Sequence, residues 1–114
     1  MKVQYLEIVT PEVDQTCAAL AAIHGITFGE PEASLGNART AALAAGGTIG
    51  VRAPMHETED PVTRPYYLVD DVVAAVAAAE SAGCEIAHPP LEIPGHGTFA
   101  IYFQGGVQYG LWQN

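Results

Sequence analysis

Basic side chains are scarce in this sequence of 114 residues: four lysines and arginines stand against 13 acidic residues, a formal charge of −9 at pH 7. Such a chain repels a phosphate backbone, so we predict no nucleic-acid partner. Apolar runs are also short. The stretch at residues 72–79 is far below the roughly 20 residues of a membrane span. No signal-peptide h-region follows Met1. We therefore expect no membrane partner and a cytoplasmic location.

Cysteines and short catalytic motifs are equally sparse. Cys17 and Cys84 lack CxxC spacing, and we interpret both as reduced, mostly buried thiols rather than redox or nucleophilic groups. The sequence contains no His-x-x-x-His, Gly-x-Ser-x-Gly or phosphate-loop motif, so zinc protease, serine hydrolase and nucleotide-binding functions have no support. A content of 49% hydrophobic and 15% charged residues predicts one folded domain.

The two halves of the sequence repeat. Residues 5–13 align with residues 64–72, and Gly46-Gly47 and Gly105-Gly106 each precede a final strand as a hairpin turn. We predict an α+β fold of two tandem β-α-β-β-β modules that form a cupped mixed sheet with helices on the convex face. Module one is 1–53 and module two is 64–114. An acidic, proline-bounded linker at 54–63 joins them within a single domain, 1–114.

Residues that favour helix termini predict where each helix begins and ends. Suitable N-caps are Thr10 for the first helix and Asp70 or Asp71 for the second, and Gly25 and Gly83 are suitable helix ends. The predicted helices span 11–23 and 71–82. The predicted inner strands are 26–28, 38–43, 85–87 and 98–103. The proline-rich segment 88–97 is predicted to be a stiff loop over the rim of the cup.

Strand alternation places both polar and aromatic side chains inside the cup, because residues two apart share a face. Arg52 and Arg64 either bind an anionic or carbonyl-bearing ligand through the guanidinium fork or neutralise Glu7 and the acidic linker. Tyr66 and Trp112 are suited to stacking on a planar ligand and equally to filling a core. Gln108 faces the cup beside them.

Acid–base candidates are few. Glu7 is a general base if burial raises its pKa, or a structural ion-pair partner of an arginine, which is the interpretation we favour. Among the four histidines, His96 lies between two glycines and is the best candidate for a catalytic or ligand contact. His56, in the linker, is a weaker one.

The duplicated unit, the strand-then-Asp-Val pattern at residues 67–72 and the ending at residues 105–112 resemble the vicinal oxygen chelate superfamily of glyoxalases, bleomycin-resistance proteins and extradiol dioxygenases. The resemblance implies metal ligands on the first and last strand of each module, at positions that correspond here to Glu7, Gly50, Tyr66 and Gly110. Among these side chains, Glu7 alone is a good donor for a divalent ion. We therefore predict no metal and no cofactor; a divalent metal held by a different ligand set is the alternative.

Our leading hypothesis is a metal-independent protein that binds a small organic molecule, similar in kind to drug-sequestering members of that superfamily. Arg52, Arg64, Tyr66, Gln108 and Trp112 would bind the ligand, and the resemblance implies a homodimer. The alternative is a lyase, isomerase or dioxygenase-like enzyme that uses Glu7 with His56 or His96. A purely structural module is a third interpretation, which applies if the cup is filled by its own side chains.

Overall fold

A computed structural model describes residues Met1 to Asn114. The chain divides into two compact units: Tyr5–Thr63, called here the first unit, and Arg64–Asn114 together with Met1–Gln4, called the second unit. None of its helices has the length and apolar character that crossing a membrane requires. In chain order, the elements are β1 Val3–Val9, α1 Val13–His24, a 3-10 turn Ala33–Leu35, β2 Arg39–Ala42, β3 Thr48–Arg52, β4 Val62–Leu68, α2 Val72–Ser81, β5 Glu85–Ile93, β6 Gly97–Gln104 and β7 Val107–Gln113.

The first unit is a mixed sheet with one helix. β1 runs parallel to β3, with Glu7 opposite Gly50, and β2 pairs antiparallel with β3, with Thr40 opposite Gly50. α1 packs against β3. Cys17 of α1 is buried, as are the β3 residues Ile49 and Val51.

The second unit repeats this plan with one more strand. Its strand order is β4-β7-β6-β5, in which β4 and β7 are parallel and the other two pairs are antiparallel. α2 covers one face through a core of Val72, Val76, Ala100 and Leu111. Neighbouring residues in β6 and β7 therefore point to the opposite face. The α+β class with two tandem modules and mixed pairing is confirmed.

One predicted strand is absent. Residues 26–28 form no strand, so the first unit is β-α-β-β and the chain has seven strands rather than eight. Its connection to β2 consists of a hydrogen bond from the Gly29 amide to the Thr40 carbonyl (2.8 Å) and a single bridge between Glu32 and Ala38. The 3-10 turn Ala33–Leu35 lies in the loop between Glu32 and Ala38, and no ladder forms between residues 26–28 and β2.

The proline-rich segment is also different from the prediction. β5 continues through Pro89 and Pro90 to Ile93, and the turn before β6 is confined to residues 94–96. β5 is the edge strand of the second unit, where a missing proline N–H costs no ladder hydrogen bond. The register shifts on both sides of His88 accommodate the prolines.

The residues predicted to begin and end the helices can be compared with the structure. Asp71 caps α2 as predicted, since its Oδ1 accepts from the Ala74 amide at 3.1 Å. Gly25, in the left-handed conformation with φ 68°, closes α1. Thr10 was wrong as the cap of α1: its hydroxyl accepts from the Glu12 amide instead, and the helix begins at Val13. Pro11 precedes the helix rather than opening it.

Candidate functional site

The positions that the family resemblance links to a metal do not form a metal site. Glu7 lies opposite Gly50 and Tyr66 lies opposite Gly110. A Cβ at Gly50 would overlap the phenol of Tyr5, and a Cβ at Gly110 would overlap the ring of Tyr66. Tyrosine rings therefore occupy the space over both glycines, and the chain contains no group of three His, Cys, Asp or Glu side chains with metal-binding geometry. These residues do not fit a divalent metal.

In the first unit, Arg52 lies between two carboxylates. Its Nε donates to Glu7 Oε2 at 2.8 Å, and its Nη1 and Nη2 donate to the two oxygens of Glu59 at 2.9 and 2.8 Å. Nη1 also donates to the Ala53 carbonyl at 3.2 Å. The side chains of Arg52, Glu7 and Glu59 are 6%, 10% and 17% exposed. We call these three residues the Arg52 cluster.

The linker holds Glu59 in this cluster. The Met55 amide donates to Glu59 Oε1 at 2.7 Å, and the Glu59 amide donates to the His56 carbonyl. Hydrogen bonds from Arg52, with its positive charge and the Met55 amide in support, lower the pKa of Glu59 to about 2, although burial opposes the shift. The hydrogen bond to Glu59 in turn raises the pKa of Arg52. The Arg52 guanidinium therefore lies between two carboxyl groups, of which Glu59 is ionised at neutral pH.

The Arg52 cluster bears on two sequence interpretations. Glu7 is in a buried ion pair with an arginine, which is the alternative that the sequence favoured over a free general base. Arg52 neutralises Glu7 and the acidic linker, and all three of its guanidinium nitrogens donate within the first unit. Sequence reasoning did not single out Glu59, because nothing local shows that a linker carboxylate folds back onto β3.

The second unit brings together the other four predicted ligand-binding residues. Arg64 Nε donates to Gln108 Oε1 at 2.8 Å, and Arg64 Nη1 lies 3.4 Å from the Tyr66 hydroxyl. The ring of Tyr66 meets Trp112 edge to face, with centroids 6.1 Å apart. Arg64, Tyr66 and Trp112 are all buried. We call the sheet surface that carries these residues, opposite α2, the Arg64 face.

Two aromatic side chains extend the Arg64 face beyond the prediction. Phe99 meets Tyr66 edge to face at 6.0 Å, and His88 stacks on Phe99 at 4.8 Å with the rings 30° apart. Strand alternation in β6 would have found Phe99, since it lies opposite Trp112. The same argument fails for His88, because register irregularities flank it in β5.

The two other histidine candidates lie in exposed turns. His96 is exposed in the turn between β5 and β6, where its amide donates to the Ile93 carbonyl at 2.9 Å. His56 is exposed in the linker, and its Nδ1 lies 2.7 Å from the Thr58 hydroxyl. The catalytic roles of Glu7 and His96 stay predictions.

Comparison with known proteins identifies solved structures of the same fold but no protein of closely similar sequence. No protein-family model matches the sequence, and no curated protein is significantly similar to it. Solved structures do match. A hypothetical protein from Bacillus halodurans C-125 has a TM-score of 0.78 at 11% identity, over 99% of this chain and 94% of that one.

Two methylmalonyl-CoA epimerases are among the other matches. The enzyme from Streptomyces coelicolor, in complex with 2-nitronate-propionyl-CoA, has a TM-score of 0.73 at 15% identity and covers 100% of this chain and 97% of that one. The enzyme from Mycobacterium tuberculosis has a TM-score of 0.72 at 17% identity and covers 96% and 85%. The chain shares the fold of these enzymes.

Proposed function

We propose that this chain is a metal-independent binding protein for a small anionic organic molecule, and that the Arg64 face holds the ligand. The observation that carries the proposal is the position of Arg64: a buried guanidinium, oriented by Gln108, on a surface formed by Tyr66, Trp112 and Phe99. A guanidinium fork binds carboxylates, and aromatic rings contact planar groups edge to face or by stacking. The combination suits a planar ligand that carries a carboxylate.

The surroundings of Arg52 argue against a ligand site at that residue. Arg52 has two carboxylates of its own, and a ligand anion would have to displace Glu59 to reach it. The prediction that Arg52 binds ligand directly is therefore not part of the proposal. The tyrosine rings over Gly50 and Gly110 support binding without a metal, since those positions supply no donor.

Isothermal titration calorimetry with cinnamate, and with cinnamamide as its uncharged counterpart, tests the proposal. We expect the wild type to bind cinnamate at least tenfold more tightly, because the amide lacks the charge that the guanidinium recognises. Arg64→Gln should abolish that preference, and Arg39→Gln, which changes an arginine of the first unit, should keep it. Failure of cinnamate to bind, or an unchanged preference in Arg64→Gln, would contradict the proposal.

An isomerase is the second candidate, favoured by the structural likeness to methylmalonyl-CoA epimerases. In that reading Glu7 removes a proton next to a thioester carbonyl, for which it would first have to leave Arg52. Incorporation of solvent deuterium at the α-carbon of methylmalonyl-CoA, measured by mass spectrometry with added Co²⁺ and with EDTA, separates the two. Exchange that disappears in Glu7→Gln supports the enzyme; no exchange under either condition supports the binding protein.

We also propose that the protein is cytoplasmic and that it is a homodimer, the second of which the superfamily resemblance implies. Sedimentation equilibrium gives the mass in solution directly. A mass of twice the chain supports the dimer, and a single-chain mass that persists at high protein concentration contradicts it.

A further inference from the structure

His88 has one ring nitrogen fixed by the backbone and the other without a partner. Its Nδ1 lies 2.6 Å from the Pro89 carbonyl oxygen. A carbonyl accepts and never donates, so Nδ1 carries the hydrogen and Nε2 of the neutral ring is an acceptor. No polar group of the chain contacts Nε2. The stack on Phe99 holds the ring in place, so this acceptor has a defined position.

The position of His88 is on the Arg64 face. Cross-strand pairing joins His88 to Ile101, Ile101 to Gly110 and Gly110 to Tyr66 in one row. Residues directly opposite one another share a face of the sheet. His88 and Ile101 are both half-buried, so the ring borders this surface rather than lying within the core.

A second unsatisfied group lies on the same face two strands away. Gln108 uses its side-chain oxygen to accept from Arg64, which leaves its amide NH₂ as a donor with no partner in the chain. Neighbouring strands are about 4.8 Å apart, and Gln108 lies two residues, about 7 Å, along β7 from the row that contains His88, so the two backbones are separated by roughly 12 Å. Ile101 and Phe103, both half-buried, lie on the strand between them.

We propose that His88 recognises a hydroxyl or N–H donor on the ligand, and that the ligand class is a hydroxylated aromatic carboxylic acid. The carboxylate accepts from Arg64 and the Gln108 amide at one end. The ring lies over Ile101 and Phe103, beside Phe99 and Tyr66 on the same face, and the hydroxyl at the far end donates to His88 Nε2. This inference rests on the proposed function, because it takes the Arg64 face as the ligand site and assigns the polar group at its other end.

Calorimetry with 4-hydroxycinnamate and cinnamate tests the role of His88, since the two probes differ by one hydroxyl group. We expect the wild type to prefer 4-hydroxycinnamate by about three- to tenfold, the contribution of one net hydrogen bond. His88→Phe keeps a flat ring on Phe99 and removes Nε2, so the preference should disappear while cinnamate affinity is retained. His24→Phe, at the exposed end of α1, is the matched control and should keep the preference.

The outcomes separate this inference from the proposed function. Equal binding of both probes by the wild type, or a preference that survives in His88→Phe, overturns the role of His88 and leaves the proposed function standing. Failure of both probes to bind overturns both. Ring ¹⁵N chemical shifts give a readout that needs no ligand: we expect the Nδ1–H form for neutral His88, and a dominant Nε2–H form would overturn the inference.

Discussion

The two units place different chemistry at equivalent strand positions. Glu7 faces Gly50 in the first unit, and Tyr66 faces Gly110 in the second. The first unit surrounds its arginine with two carboxylates, whereas the second orients its arginine with an amide among aromatic rings. The backbone pairing of β1 with β3 and of β4 with β7 is alike. The two units therefore share the register of their first and last strands and differ in the side chains that these strands carry.

The Arg52 cluster and the Arg64 face are expected to contribute differently to stability and to ligand binding. A buried arginine that is already paired with two carboxylates contributes to the fold, and a ligand must compete with groups of the same chain to reach it. The Arg64 face combines a guanidinium with aromatic rings, which are the two contact types that a planar acid needs. We accordingly expect variants of the Arg52 cluster to change stability first and variants of the Arg64 face to change ligand affinity first.

The largest expected loss of stability is that of Arg52→Met. It removes the guanidinium that donates to the buried carboxylate of Glu7 and to that of Glu59, and we expect the free energy of unfolding to fall by about 3–5 kcal/mol. Urea unfolding followed by circular dichroism measures the change. The control is Arg39→Met, whose partner Asp14 is exposed, and its expected cost is about 1 kcal/mol or less. Similar losses in the two variants would show that Arg52 is not the structural centre of the first unit.

Acid should weaken the first unit through Glu59. The pKa of this carboxyl is lowered from 4.5 to about 2 in the folded chain, so its contribution is complete above about pH 4.5 and is lost as the pH falls towards 2. Melting temperatures measured across this window should fall less steeply in Glu59→Gln than in the wild type. Glu57→Gln, an exposed change in the same linker, should follow the wild-type curve. Parallel curves for all three proteins would disprove the role of Glu59.

The two buried glycines offer a direct test of the difference between the units. In Gly110→Ala the new Cβ meets the base of the Tyr66 ring and the Pro65 carbonyl oxygen, 2.8 Å away, neither of which moves without the backbone. We expect a loss of about 1–3 kcal/mol in urea unfolding. In Gly50→Ala the Cβ meets the outer end of the Tyr5 side chain, which rotates more readily, so the loss should be smaller. The reverse order would contradict this account.

The smallest expected change in stability comes from the N-terminal cap, which differs between α2 and α1. Asp71→Ala removes the side chain that caps α2 through the Ala74 amide, and we expect it to cost about 1 kcal/mol. Glu12→Ala, at the equivalent position of α1, removes a side chain that makes no cap hydrogen bond and should change stability little. Chemical unfolding of both variants checks the difference. Equal effects would mean that helix capping does not distinguish the units.

Much of the fold follows from local signals in the sequence. The left-handed glycines Gly25 and Gly83 end their helices near the predicted positions, and Gly105-Gly106 forms the turn between β6 and β7. These features depend on a few adjacent residues, so short patterns predict them well. The strand predicted at residues 26–28 is absent because a strand needs a partner, and the contacts with β2 and its preceding residue are made by Gly29 and Glu32, which follow that segment.

The candidate site was partly predictable for the same reason. Alternation in β4 and β7 placed Arg64, Tyr66, Gln108 and Trp112 on one face, and the structure brings them together. Strand alternation could not predict the contacts of two further residues. His88 lies in a strand whose register shifts on both sides, and Glu59 reaches Arg52 from a linker with no periodicity.

The repeat, the helices, the hairpin turns and the inward or outward direction of side chains in regular strands could all be predicted from the sequence. These features depend on backbone preferences over a few residues. Tertiary structure alone decided which charges pair and which rings meet. Arg52 with Glu59, and His88 with Phe99, are contacts between segments whose separation is set by packing and by irregular backbone. Ion pairs and ring contacts act over a few ångströms, so a sequence pattern specifies them only when the register is regular.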